Sequence, residues 1–195
     1  MAIAEYFSEL GRLGGSLVVT TASGREADAD EFVDWVIKTA REAHAMGRKL
    51  IFVGNGGSAA IASHMAVDYS KNGGMRALAF NDASFLTCLS NDLGYENVFV
   101  KQIELHAAAG DLLVAISSSG RSPNIINAVE AARVRDCRIV TLSGFAADNP
   151  LRELGAYNLY VPSPSYGFVE IAHLAACHCI LDTAMGWKPR PSRGN

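Results

Sequence analysis

Charge is scarce in this chain of 195 residues: Asp, Glu, Lys and Arg make up 19%, and they sum to a formal −3. That balance offers no basic field to nucleic acid. No apolar run is long enough to cross a bilayer. Residues 1–13 place Glu5, Glu9 and Arg12 among apolar neighbours, where a secretion signal carries an unbroken apolar block. The expectation is a cytoplasmic protein whose partners are neither nucleic acid nor membrane. Four cysteines (Cys88, Cys137, Cys177 and Cys179) show no disulfide framework and no paired C-x-x-C spacing, so they are expected to be buried structural thiols. Both G-K-[ST] and G-x-G-x-x-G are missing, which makes a nucleotide a weaker expectation than a simpler phosphorylated metabolite.

What is present is apolar: 49% of the residues are hydrophobic, enough for one domain with a substantial core. Helical spacing runs through 2–13, and a polar stretch at 20–30 reads as a linker or interhelical turn. Phe32, Trp35, Val36, Ala40 and Ala43 then mark an amphipathic helix over 30–46, with Gly47 as its stop. From there strands and helices alternate. Five strands are expected at 49–53, 75–80, 111–116, 138–142 and 158–161. Helices are expected at 58–69, 83–90, 95–108, 124–135 and 168–185. This order predicts an α/β fold with a mainly parallel five-stranded sheet and helices on both faces.

Two of the strand-to-helix turns have the composition of an anion cradle. Gly54-Asn55-Gly56-Gly57-Ser58 follows the first of the five strands. Its glycines allow close backbone approach, and the helix that follows offers unpaired N–H donors. Ser117-Ser118-Ser119-Gly120-Arg121-Ser122 follows the third and holds four hydroxyls in six residues. Either turn alone is as readily a helix cap as a site. Two in one domain favour a bound phosphate.

Two helices carry groups suited to metal or proton chemistry. His64 and Asp68 are four residues apart and share a helix face, which suits either a chelating pair or a simple hydrogen-bonded one. Glu170 and His178 sit eight apart in an apolar stretch, with His173 between them. Charged groups in such a setting need partners, and two imidazoles with two carboxylates suit Zn2+ or another divalent ion. Tyr166 and Trp187, near the last helix, could line a pocket, but packing is the favoured expectation for each.

These motifs resemble the SIS (sugar isomerase) domain family, and within it the phosphoheptose isomerase subfamily. The resemblance rests on G-N-G-G-S-A-A at 54–60 with His64 beyond it, and on S-N-D-L-G-Y at 90–95. It continues through G-D-L-L-V-A-I-S-S-S-G-R-S-P-N at 110–124 and V-P-S at 161–163, and ends with the helix of Glu170, His173 and His178. It implies a three-layer α/β/α sandwich of flavodoxin-like type over 49–186, N-terminal helices over 1–48 packing on or between subunits, and a tail over 187–195. It also implies a homotetramer with sites at subunit boundaries, interconverting sedoheptulose 7-phosphate and a heptose 7-phosphate through an enediol.

By the same resemblance Asn55, Gly56, Gly57, Ser58, Ser117, Ser118, Ser119 and Ser122 hold phosphate and sugar, and Asp92 meets substrate hydroxyls. His64, Asp68, Glu170 and His178 occupy positions where the family has zinc-binding His, Glu, Gln and His, and Asp68 and His178 correspond to its base and acid. The chain departs from that pattern with Asp at 68 for Glu, Glu at 170 for Gln, and Phe168 for a common Arg. Glu170 is the alternative base and a further substrate contact. The competing expectations are a non-catalytic SIS module, binding a sugar phosphate or associating with a replication initiator, and an isomerase of another sugar phosphate.

Overall fold

The structure, a computed structural model, describes residues 2–188; of the tail expected over 187–195, residues 189–195 lie outside the described residues. Helix α1 (Ala2–Gly14) leads into strands β1 (Val18–Thr21) and β2 (Glu26–Ala27) and then helix α2 (Ala29–Ala45). Asp28 starts α2, its carboxylate accepting from the amides of Asp30 and Glu31. There follow β3 (Leu50–Gly54), α3 (Gly57–Lys71), β4 (Ala77–Ala79), α4 (Ala83–Leu93), α5 (Val98–His106) and β5 (Leu112–Ser117). The chain closes with α6 (Pro123–Val134), β6 (Arg138–Gly144), β7 (Tyr157–Val161) and α7 (Tyr166–Ala184). Among the described residues no helix is long and apolar enough to cross a membrane.

The strands form one sheet in the order β2-β1-β7-β6-β5-β3-β4. β4, β3, β5, β6 and β7 pair in parallel. β1 runs antiparallel to both β7 and β2. The sheet therefore has seven strands rather than the expected five, and the stretch at 20–30 is not merely a linker. Val18, Val19 and Thr20 suit a strand, yet four residues carry too short a pattern to read. Pairing with β7, more than 130 residues downstream, is what makes them one.

Side chains alternate across the parallel strands, and both faces are apolar because both are covered. Leu50, Phe52, Leu112 and Val114 face a core shared with α2, α3 and α7. Ile51, Val53, Leu113 and Ala115 face the other core, with α5 and α6. These are the three layers of an α/β/α sandwich.

At the end of the sheet where β3 and β5 begin, Asp111 is fully buried. Its carboxylate accepts from the Lys49 ammonium at 2.6 Å and from the amides of Lys49 (2.9 Å) and Ala108 (2.8 Å). Of the thiols, Cys177 is buried and held up at about 12 by that burial. Cys137 is half-buried, and Cys88 and Cys179 are exposed, contrary to the expectation that all four sit inside. Helical spacing gives a residue's face but not whether that face is covered.

Candidate active site

The chain leaves β3 for β4 on one side and returns to β5 on the other, so the strand order reverses between β3 and β5. Crevices at such switch points, beyond the carboxyl ends of the strands, are where open parallel sheets bind ligands. Both candidate loops lie there. After β3, Gly56 sits at φ +53°, ψ −121°, a conformation tolerated by glycine. A Cβ on Gly54 would stand 2.6 Å from the Ser58 backbone, and one on Gly57 would enter the Glu170 carboxylate. After β5, Gly120 has φ +61°, and a Cβ there would collide with the Asn149 side chain.

The two turns are tied together. Asn55 and Asn124 exchange reciprocal amide bonds of 2.9 and 2.8 Å, and the Tyr95 hydroxyl donates to the Asn55 carbonyl at 2.9 Å. Tyr95 and Asn124 stand in the motifs quoted above, but no sequence signal assigned them this role. It appears only when loops 69 and 40 residues apart are brought together.

Between the turns lies a cavity of about 110 Å³, room for a compact group rather than a whole sugar. Asn55, Ser58 and the hydroxyls of Ser117, Ser118, Ser119 and Ser122 line it, with Tyr166 and Glu170 at its edge. Ser117 bonds Ser122 at 3.2 Å, and its oxygen also receives the Gly120 amide at 3.2 Å. The Ser118 hydroxyl is buried and has no hydrogen-bond partner among the described residues. A buried polar group in that state is costly without a ligand. Ser58 in the first turn of α3 and Ser122 at the N-cap of α6 both line the same space, so the positive ends of two helix dipoles are directed towards it. Serine hydroxyls at two helix N-termini, with no lysine or arginine in the lining among the described residues, suit a phosphate held by directed hydrogen bonds.

α3 and α7 pack together, with Gly57 beside Glu170 at one end and His64 and Asp68 beside His178 further along. The His64 Nε2 lies 3.2 Å from the Asp68 Oδ2, and the His178 Nδ1 lies 3.9 Å from the same oxygen. One donor atom from each of the three falls within 4.8 Å of the others. Tetrahedral zinc bonds of ~2.0–2.1 Å place neighbouring donors ~3.3 Å apart, so this nitrogen and carboxylate set fits a divalent ion after small side-chain adjustments.

Glu170 does not join that group. Eight residues of helix separate it from His178, about 12 Å along the axis, and its carboxylate lies against Gly57 in the serine-lined cavity instead. Asp92 is exposed on α4, where it accepts from Asn91 at 2.8 Å and from the Cys88 thiol at 3.5 Å; it does not line the cavity.

His173, between the two sites, is fully buried, and its Nε2 faces the Ser143 carbonyl at 3.0 Å, which makes that nitrogen the donor. Burial lowers its pKa from 6.5 to about 4. The unfolded chain therefore binds a proton between those values that the folded chain refuses, and stability falls as pH drops from about 6.5 towards 4. The loss approaches ~3 kcal/mol. Urea midpoints from pH 7.5 to 4.5 should fall steeply for the wild type and less steeply for His173→Gln; parallel slopes would contradict it.

A parallel α/β sandwich with a serine-lined cavity at its switch point has the architecture of a domain suited to a phosphate ester. Comparison with known proteins agrees. The SIS domain family model matches residues 14–144. A phosphoheptose isomerase of Geobacter sp. (strain M21) is 35% identical over 171 residues, covering 85% of this chain and 87% of the relative. One from Solidesulfovibrio magneticus is 37% identical over 178 residues, with 87% and 86% covered. The solved phosphoheptose isomerase of Neisseria gonorrhoeae superposes with a TM-score of 0.79 at 32% identity, covering 94% of this chain and 97% of that one. The chain belongs to the SIS domain family, among its phosphoheptose isomerases.

Proposed function

We propose that this protein isomerises sedoheptulose 7-phosphate to a heptose 7-phosphate in the cytoplasm. The observation that carries the reading is the convergence of His64, Asp68 and His178 along the same two helices that frame the serine cavity. With phosphate in the cavity, the acid–base cluster stands roughly 10–12 Å away along α3 and α7. That separation matches an extended sugar of many carbons rather than a triose.

Asp68 takes the proton from the carbon beside the carbonyl, and His178 gives one to the carbonyl oxygen, leaving a neutral enediol. Proton return from Asp68 to the neighbouring carbon, with loss of the other hydroxyl proton to His178, completes the exchange. Glu170, at the edge of the cavity, accepts hydrogen bonds from sugar hydroxyls. His64, Asp68 and His178 would hold a Zn2+ or similar ion, which supplies charge stabilisation for the developing oxyanion when bound.

The assembly proposed is a homotetramer with sites at subunit boundaries and the helices of 1–48 packed between subunits. α1 supports this by leaving Ile3 and Phe7 exposed. Metal-loaded protein incubated with sedoheptulose 7-phosphate should form aldose, and a chelator should abolish the turnover. Absence of turnover would overturn the substrate, and turnover indifferent to chelator would overturn the metal.

A further inference from the structure

One non-glycine residue beside the cavity holds an unusual backbone conformation. Phe145, immediately after β6, has φ +57°. A bulky residue in the left-handed region is strained, and strain persists where surroundings over-determine it, often at ligand sites. Phe145 is pinned on both sides: its amide donates to the Ser163 carbonyl at 3.1 Å, and its carbonyl accepts from the Tyr160 hydroxyl at 2.7 Å. Its neighbour Gly144 has no room for a side chain, because a Cβ there would meet Val169 at 2.7 Å and the Ser118 carbonyl at 3.1 Å.

The pinned turn fixes an aromatic pair. The Phe145 ring meets Tyr166 edge-to-face, with centroids 4.7 Å apart and planes at 85°. Phe145 is half-buried, whereas Tyr166 is 64% exposed and still lines the cavity. Buttressed by Phe145 and 64% exposed, the Tyr166 ring presents an open side at the rim of the cavity. The rest of the lining is Asn55, Ile116, Glu170 and the serines, whose hydroxyls recognise a phosphate whatever it is attached to.

We propose that Tyr166 is a specificity-determining contact, its open ring face lying against the C–H face of the carbon chain that leaves the phosphate. The negative face of an aromatic ring and the weakly positive C–H groups of a polyhydroxy chain attract, and both lose apolar surface to water. The ligand class is a sugar phosphate, preferred over inorganic phosphate because of this ring. The inference rests on the phosphate reading of the cavity, not on the isomerisation chemistry.

Calorimetric titration of wild type, Tyr166→Ala and Tyr166→Phe with sedoheptulose 7-phosphate and with inorganic phosphate tests it. Tyr166→Ala should weaken the sugar phosphate about five- to tenfold and leave inorganic phosphate unchanged, which also shows that the cavity is intact. Tyr166→Phe should retain wild-type affinity for both. Unchanged sugar phosphate affinity in Tyr166→Ala, or a parallel loss of inorganic phosphate, would overturn the proposal. So would a wild type that binds the sugar phosphate no tighter than inorganic phosphate. A wild type that binds sedoheptulose 7-phosphate through Tyr166 without converting it would sustain this proposal while sinking the isomerase reading.

Discussion

Asp68→Asn and His178→Gln should each reduce turnover of sedoheptulose 7-phosphate about a thousandfold, within the range contributed by a positioned acid or base. Both side chains are partly exposed, at 19% and 35%, and both replacements preserve shape. Beyond the histidine pair, the Asp68 carboxylate accepts a long 3.4 Å bond from the Asn72 side chain. The urea midpoint should therefore stay near that of the wild type while kcat collapses. Saturation with substrate should not rescue either variant, because the lost interaction belongs to the transition state. Wild-type kcat in both variants would remove the acid–base assignment and leave the reading of the serine-lined cavity untouched.

The second large effect concerns stability. Asp111→Ala removes the acceptor of one ammonium and two amides at a site with no exposure. Lys49 is 23% exposed at its side chain and can turn towards water, but the amides of Lys49 and Ala108 cannot. Breaking a buried pair of this kind costs about 3–5 kcal/mol, a large share of a typical domain's 5–15 kcal/mol. Asp111→Asn should cost less, because its carbonyl oxygen can still accept one amide. Urea unfolding with an unchanged m-value would show the loss as a lower midpoint. A midpoint within experimental error of the wild type would mean that the two amides find other partners.

Asp68 was legible from its spacing to His64, since four residues put two side chains on one face of any helix. Asp111 was not legible as an anchor. It was read as the first residue of a strand over 111–116, but its partners at 49 and 108 lie outside that strand. Glu170 shows the same divide. Its helix and its polar character in an apolar run were visible, and they suggested a shared site with His178. Only the packing of α7 on α3 set Glu170 against Gly57 and His178 against His64 and Asp68.

The sequence by itself determined the alternation of strands and helices, the two glycine- and serine-rich turns, and the family to which they belong. Those features are local: apolar runs, turn residues and helical spacing act within a dozen residues, so no partner elsewhere in the chain is needed to read them. The tertiary structure decided the two added strands, the Asn55–Asn124–Tyr95 tie, the division of the polar helix residues between the cavity and the His64–Asp68–His178 cluster, and the strained turn that presents Tyr166. Each of these depends on a contact between segments far apart in sequence. Spacing fixes the face on which a side chain emerges, while packing alone fixes what that face meets.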